Sequence, residues 1–177
     1  MSPNAPESSG RFAAALAGLQ AGMMAALAML LWLGVSAVWQ RRTFWTSENL
    51  LATTFYGSRA LHDGFSASTF SGLALYLLLY STLGCLFAYA VGKRGPSPRL
   101  VLVGIAAGLG WYYLSFHLLW RAVGPLVPIL HAVTPTVLGH MIYGAGIGRF
   151  PHFLPVAPVA PVEPVPEPAP ASTEVRD

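Results

Sequence analysis

Apolar residues dominate four stretches of the chain, and their lengths predict a bundle of transmembrane helices. The stretches cover residues 12–39, 67–91, 100–120 and 127–148, and none contains an aspartate or a glutamate. A helix rises about 1.5 Å per residue and a bilayer core is about 30 Å thick, so each stretch is long enough to cross. We therefore predict an all-α membrane protein with four transmembrane helices, the last one kinked at Pro135.

One long polar connection, residues 41–66, interrupts the apolar pattern. It holds Glu48 and Asp63, the only acidic residues between Arg11 and Arg149. Apolar residues at helical spacing within it predict a short amphipathic helix that lies in the headgroup region, with an irregular linker packed over the mouth of the bundle as the alternative. Six side chains of this segment are candidates for solvent-facing chemistry: Trp45, Glu48, Asn49, Arg59, His62 and Asp63.

Polar sequence flanks the apolar region, so the transmembrane domain is predicted to cover residues 12–150. Residues 1–11 are predicted to be a disordered start. Residues 151–177 are rich in proline, which blocks helix and sheet and favours extended polyproline II. We interpret this tail as a disordered spacer, with a docking motif for another protein as the alternative.

The composition agrees with a lipid environment. Hydrophobic residues make up 54% of the chain and charged residues only 10%, against about 25% charged in typical soluble domains. The net charge of +3 is spread along the chain, which argues against a nucleic-acid-binding surface.

The distribution of basic residues predicts the orientation. Four crossings place both termini on one side, together with the turn at residues 93–99. That side carries five basic residues and the other side four: Arg11, Lys93, Arg94, Arg99 and Arg149 against Arg41, Arg42, Arg59 and Arg121. By the positive-inside rule, we expect both termini in the cytoplasm and the protein in the inner membrane.

Glycines recur at four-residue spacing on the predicted helices, and this spacing predicts close helix packing. They are Gly18, Gly22, Gly84, Gly104, Gly108, Gly144 and Gly148. The run LGCLFAYAVGKR from Leu83 also resembles LGHMIYGAGIGR from Leu138. This echo indicates two tandem helical hairpins. The glycine faces serve packing within one bundle or, alternatively, contact between copies.

Two pairs of polar residues are candidate sites within the spans. His117 and His131 lie at similar depth near facing ends of spans three and four, where two imidazoles can ligate haem or a metal ion. A hydrogen-bonded role is the alternative for them, and no other cofactor is expected. Gln20 and His140 also share one depth, so we predict a hydrogen bond or a small ligand between them.

The missing motifs disfavour the common enzyme classes. The chain has no P-loop, dinucleotide fingerprint, HExxH or G-x-S-x-G motif. Because no acid lies in a span, a carboxylate proton relay is also disfavoured. The sequence therefore favours a protein without enzymatic activity.

The segment WTSENLLATTFYG, from Trp45 to Gly57, and Gly139-His140 in the second hairpin resemble small four-helix bacterial inner-membrane proteins of uncharacterised function. The resemblance covers residues 12–150 and implies fold and compartment. We expect a structural or accessory component that packs against lipid and against other membrane proteins or itself. Two alternatives stay open: a redox subunit with haem or metal on His117 and His131, and a small-molecule binding or permeation unit.

Overall fold

The structure is a computed structural model that describes residues 5–62 and 64–155, with side chains from Gly10 onward. Every regular element in this part of the chain is helical. A π-helical turn covers Ser115–Leu119, and two 3₁₀ turns cover Gly57–Leu61 and Phe150–Phe153. The α-helices are α1 (Ala5–Trp39), α2 (Thr46–Tyr56), α3 (Ala67–Val91), α4 (Pro98–Leu114), α5 (Trp120–Val123), α6 (Leu126–Leu130) and α7 (Val133–Ile147).

Within the described residues, three segments are long and apolar enough to cross a membrane: Gly10–Trp39, Ala67–Val91 and Pro98–Val123. This part of the chain is thus all-helical, with three candidate spans. The helix α1 begins at Ala5, inside the segment predicted to be disordered. Pro6 is compatible with this start, because the first helical turn needs no donor from its backbone nitrogens.

The predicted fourth span is broken rather than kinked. It divides at His131 and Ala132 into α6 and α7, and α7 alone is about 22 Å long at helical rise. The cause is Pro135, which has no N–H to donate to the carbonyl oxygen of His131. The backbone leaves the helical region at His131, with ψ of 146°, and Thr136 donates to Ala132 to begin the new helix.

The four long elements pack in the order α3, α1, α7, α4. Close backbone contacts join α1 to α3, α1 to α7, and α4 to α7, whereas α3 and α7 meet mainly through side chains. Neighbouring helices in this row run in opposite directions. The α3–α4 connection therefore lies at the same end as the start of α1, and Lys93 packs beside Gly10. The helix α2 lies at the opposite end, which we call the α2 end.

The α1–α3 and α4–α7 contacts are both formed by glycines that bring the two backbones together. A Cβ added to Gly18 would overlap the carbonyl oxygen of Gly84, and a Cβ added to Gly104 would overlap that of Gly144. The backbones therefore touch directly, as small residues allow in membrane helices. The seven glycines identified in the sequence all lie in these two contacts: Gly18, Gly22 and Gly84 in the first, and Gly104, Gly108, Gly144 and Gly148 in the second.

The repeated packing agrees with two tandem hairpins, but in a different register from the sequence echo. The echo pairs Gly84 with Gly139. In the structure Gly84 corresponds to Gly144, while Gly139 packs against Met29 and Trp32 of α1. The sequence similarity was misleading here because Gly139 lies in a different contact, the one between α7 and α1.

The helix α2 is a packed part of the bundle. A Cβ on Gly72 of α3 would overlap the carbonyl oxygen of Glu48 and lie 2.7 Å from its carbonyl carbon. Asn49 ties α2 to the start of α3, since its Nδ2 donates to Gly64 at 3.0 Å and its Oδ1 accepts from Thr69 at 2.7 Å. The consecutive residues Glu48, Asn49, Leu50, Leu51, Ala52 and Thr53 are all buried.

Candidate functional site

A cleft opens at the α2 end, between the end of α1, the start of α2, and the break between α6 and α7. It encloses about 40 Å³, which is room for about three water molecules. Seven lining residues are polar: Gln40, Arg42, Thr46, Ser47, Tyr76, His131 and Thr136. The rest are apolar and include Leu33, Leu50, Leu51, Phe116, Val127 and Leu130.

The broken last helix and the π turn together shape one wall of the cleft. The break places His131 beside the cleft, where its Nδ1 donates to the carbonyl oxygen of Pro128 at 2.9 Å. The π turn carries Phe116 inward, and its ring lies 4.2 Å from the His131 ring. Tyr112, one turn earlier, has its hydroxyl 3.4 Å from His131 Nε2. Wide helical turns of this kind are frequent at functional sites.

Deeper in the bundle lies a completely buried histidine, His140. Its Nδ1 is 2.7 Å from the carbonyl oxygen of Thr136, which can only accept, so Nδ1 carries the hydrogen. The Nε2 of the neutral ring therefore accepts the hydroxyl hydrogen of Tyr80, at 2.9 Å. Both polar atoms of the ring are satisfied inside the protein.

Three tyrosines connect His140 to the cleft. Tyr143 donates its hydroxyl to the backbone oxygen of Tyr80 at 2.7 Å. The ring of Tyr76 stacks on that of Tyr80 with centroids 4.9 Å apart, and Tyr76 also lines the cleft. Among the described residues, the next buried groups towards the termini are apolar: Ile147 and Phe150. The buried polar side chains therefore extend from His140 to the α2 end of the bundle and not to the opposite end.

Glu48 is the buried acid of the α2 end, with 2% of its surface exposed. Within the described part of the chain, its Oε2 has no hydrogen-bond partner. Burial raises the pKa of Glu48 from 4.5 to about 7, and a bond from its own backbone opposes the shift. The carboxylate also interacts electrostatically with Tyr76 of α3. A neutral solution therefore leaves this group close to half protonated.

The structure does not bring the two predicted ligand histidines together. His117 is exposed, and its Nδ1 bonds to Tyr113 on its own helix at 2.9 Å while the two rings stack. His131 faces the cleft and bonds to Pro128. Across the described residues, no three His, Cys, Asp or Glu side chains group in a way that could hold a metal ion.

The predicted hydrogen bond between Gln20 and His140 does not form. Gln20 lies on the exposed side of α1, and His140 uses Tyr80 and Thr136 instead. The inference of equal depth was wrong. Gly139 packs against Met29 and Trp32 of α1, so its neighbour His140 lies more than two helical turns along α1 from Gln20.

The six candidates of the polar connection separate into buried and exposed groups. Glu48 and Asn49 face the bundle, whereas Arg59 and His62 are exposed. Trp45 is half-buried and its ring lies 4.8 Å from that of Phe65. Asp63 lies outside the described residues.

Sequence reasoning missed Arg42, Tyr76, Tyr80 and Tyr143. The spacing of Tyr76 and Tyr80 was a usable signal, because residues four apart share one helix face. No protein-family model, no curated protein and no solved structure matches this chain. The resemblance to small bacterial inner-membrane proteins therefore stays a prediction.

Proposed function

We propose that this protein is a multi-pass membrane protein that binds a small organic anion in the cleft at the α2 end. The observation that carries the proposal is the cleft itself. It joins a polar rim, apolar walls and a polar floor, and the floor continues into the buried Tyr80–His140 pair. Ligand sites are concave and mostly apolar, with a few polar groups that fix orientation.

The proposed membrane topology has four crossings, with α6 and α7 together forming the last one. Support comes from the alternating helix directions and the broken segment's apolar sequence. In this arrangement α2 lies in the headgroup layer of a bacterial inner membrane. The basic turn at residues 93–99 favours cytoplasmic termini. The cleft would then face away from the cytoplasm.

The charge of the cleft favours an anion. Among the described residues that line it, Arg42 carries the one formal charge, and it lies at the rim with Gln40, Thr46 and Ser47. An arginine forks two N–H groups towards a carboxylate, which suits bidentate binding. The walls of leucine, valine and phenylalanine would hold an apolar body. A short-chain carboxylate has both features.

The polar core supports binding over permeation. A conducting path needs polar groups along the whole bundle, and the described core becomes apolar beyond Tyr143. Direct glycine contacts also close the interfaces between α1 and α3 and between α4 and α7. Of the two activities in the alternative of a small-molecule binding or permeation unit, we therefore propose binding and not permeation.

Replacing Arg42 by glutamine should weaken carboxylate binding by about tenfold, the usual loss when one charge-assisted hydrogen bond is removed. Acetate is the probe, because its four non-hydrogen atoms suit a space of this size, and its binding to the full chain in lipid nanodiscs is measured by saturation-transfer NMR. Arg41→Gln is the matched control, because Arg41 is exposed beside Arg42 but does not line the cleft.

The expected pattern is binding by the parent chain and by Arg41→Gln, with a clear loss in Arg42→Gln. Ethanol, which has the same methyl group without the charge, should bind more weakly than acetate. Equal loss in both arginine variants, or no binding of acetate by the parent chain, would refute an anion site at Arg42.

A further inference from the structure

Glu48 is a buried acid to which anion binding at Arg42 assigns no role. Only 2% of its surface is exposed, and within the described part of the chain its Oε2 has no hydrogen-bond partner. A buried charge without a partner is unfavourable, so burial stabilises the neutral form of such a carboxyl group. Burial accordingly raises the pKa of Glu48 to about 7. The group can therefore gain or lose a proton in neutral solution.

Glu48 lies beside the cleft without being part of its lining. Its neighbours in α2, Ser47 and Leu50, do line the cleft. The backbone of Glu48 packs on Gly72 of α3, and its carboxyl group interacts electrostatically with Tyr76, one turn further along α3. Tyr76 also lines the cleft. A negative charge on Glu48 therefore acts on the space that the ligand would occupy.

The elements packed around Glu48 bring few other charged or titratable groups to it. Tyr76 is the group from α3, and Arg42, after α1, lies at the rim of the cleft. The helix α6 has no titratable residue of its own, and His131, which follows it, lines the cleft. The 3₁₀ turn after α2 carries Arg59, which is exposed. Within the described residues no basic side chain bonds to Oε2 of Glu48, so an ionised Glu48 keeps its full negative charge beside the cleft.

We propose that the cleft takes up a carboxylate together with a proton and that Glu48 holds the proton. The coupling rests on the carboxylate site proposed at Arg42. Two carboxylates close together in a poorly hydrated space repel each other, and protonation of one of them removes the repulsion. A ligand at Arg42 therefore favours the neutral form of Glu48. The proton comes from solution, so ligand and proton together add no net charge to the cleft.

The coupling is mutual, because protonation of Glu48 must strengthen ligand binding by the factor by which the ligand strengthens proton binding. Two like charges about 10 Å apart at an effective dielectric constant of about 20 give a factor of about ten. Glu48 is protonated at pH 6 and ionised at pH 9. The affinity of the parent chain for acetate should therefore fall by nearly tenfold from pH 6 to pH 9.

Saturation-transfer NMR titrations of acetate against the full chain in lipid nanodiscs measure this change. Glu48→Gln is neutral at every pH, so it should bind acetate with the same affinity at both pH values. At pH 9 it should bind about tenfold more tightly than the parent chain. A gain in affinity cannot arise from misfolding. His131→Gln is the control for the other titratable side chain of the lining, and it should keep the parent's ratio of affinities between the two pH values.

Infrared spectroscopy of the same samples follows the proton itself. The C=O stretching band of protonated Glu48 is identified by its absence in Glu48→Gln. Without ligand the band should titrate with a midpoint near pH 7. Saturating isotope-labelled acetate should move the midpoint to about pH 8, since a tenfold coupling corresponds to about one pH unit.

Equal acetate affinity at pH 6 and pH 9 in the parent chain would overturn the proton coupling and leave the carboxylate site intact. A pH dependence that persists in Glu48→Gln would also overturn it, because another group would then take up the proton. A midpoint of the infrared band that acetate does not move would do the same. Absence of acetate binding at both pH values would refute the carboxylate site and the coupling together.

Discussion

Replacing Gly72 by alanine is expected to lower the free energy of unfolding by about 3 kcal/mol, the upper part of the range for overpacking a tight interior. The new Cβ would overlap the carbonyl oxygen of Glu48 and meet its carbonyl carbon at 2.7 Å. Both atoms belong to the backbone of α2, so no side chain can rotate away to make space. The helix α2 would have to lift from α3.

Chemical unfolding in detergent measures the loss of stability, and hydrogen exchange of the α2 amides locates it. Gly110→Ala is the matched control, because Gly110 lies in α4 with no neighbour within 4 Å of an added Cβ. That variant should be neutral or slightly stabilising, since alanine favours a helix over glycine by about 1 kcal/mol. If Gly72→Ala behaved like Gly110→Ala, α2 would not be packed on α3 as described.

Replacing Glu48 by glutamine should stabilise the protein at pH 8 by about 3 kcal/mol and have no effect near pH 4.5. Burial raises the folded-state pKa of Glu48 from its ordinary 4.5 to about 7. The folded chain therefore holds its proton while the unfolded chain releases it. Stability of the parent chain falls as pH rises from 4.5 to 7, and then stays level. The variant cannot ionise at this position.

Unfolding free energies of both chains over pH 4–9 provide the measurement, and their difference isolates Glu48 from all other titrating groups. Asn49→Gln, at the neighbouring buried position, is the control for simple disturbance of α2. It should lower stability at every pH, since it displaces the bonds to Gly64 and Thr69. A difference between parent and Glu48→Gln that is constant with pH would mean that Glu48 is hydrated.

Features set by local chemistry were predictable from the sequence. The long apolar runs gave the three candidate spans, because length and composition decide whether a helix can cross a bilayer. The special role of Pro135 was also predictable, although its effect is a break rather than a kink. In the connection, Glu48 and Asn49 were identified as site candidates, but the expectation that they face solvent was wrong, because both are buried.

Features set by rotation and register were not predictable. Gln20 and His140 do not meet because α7 is displaced along α1, with Gly139 packed against Met29 and Trp32, and neither helix alone determines that displacement. The glycine echo failed for the same reason, since both Gly139 and Gly144 are small and only the packing distinguishes them. The burial of Glu48 depends on the approach of α3 at Gly72, far away in sequence.

The cleft also arises from long-range packing. Arg42 lies three residues after the end of α1, and Tyr76 and His131 come from distant parts of the chain. They come together because α2 packs over the break between α6 and α7. The two stability predictions therefore also concern the proposed function: loosening α2 by Gly72→Ala should weaken carboxylate binding together with stability.

Cysteine protection tests the central claim, a carboxylate site in the cleft, most directly. In a Cys85→Ser background, Ser47→Cys places a thiol on the cleft lining, and Ser58→Cys places one at the same end outside it. The rate of modification by an anionic, membrane-impermeant methanethiosulfonate is measured in liposomes with and without acetate. The account predicts that acetate slows the reaction at position 47 and leaves position 58 unchanged. Equal rates with and without acetate at both positions would contradict it.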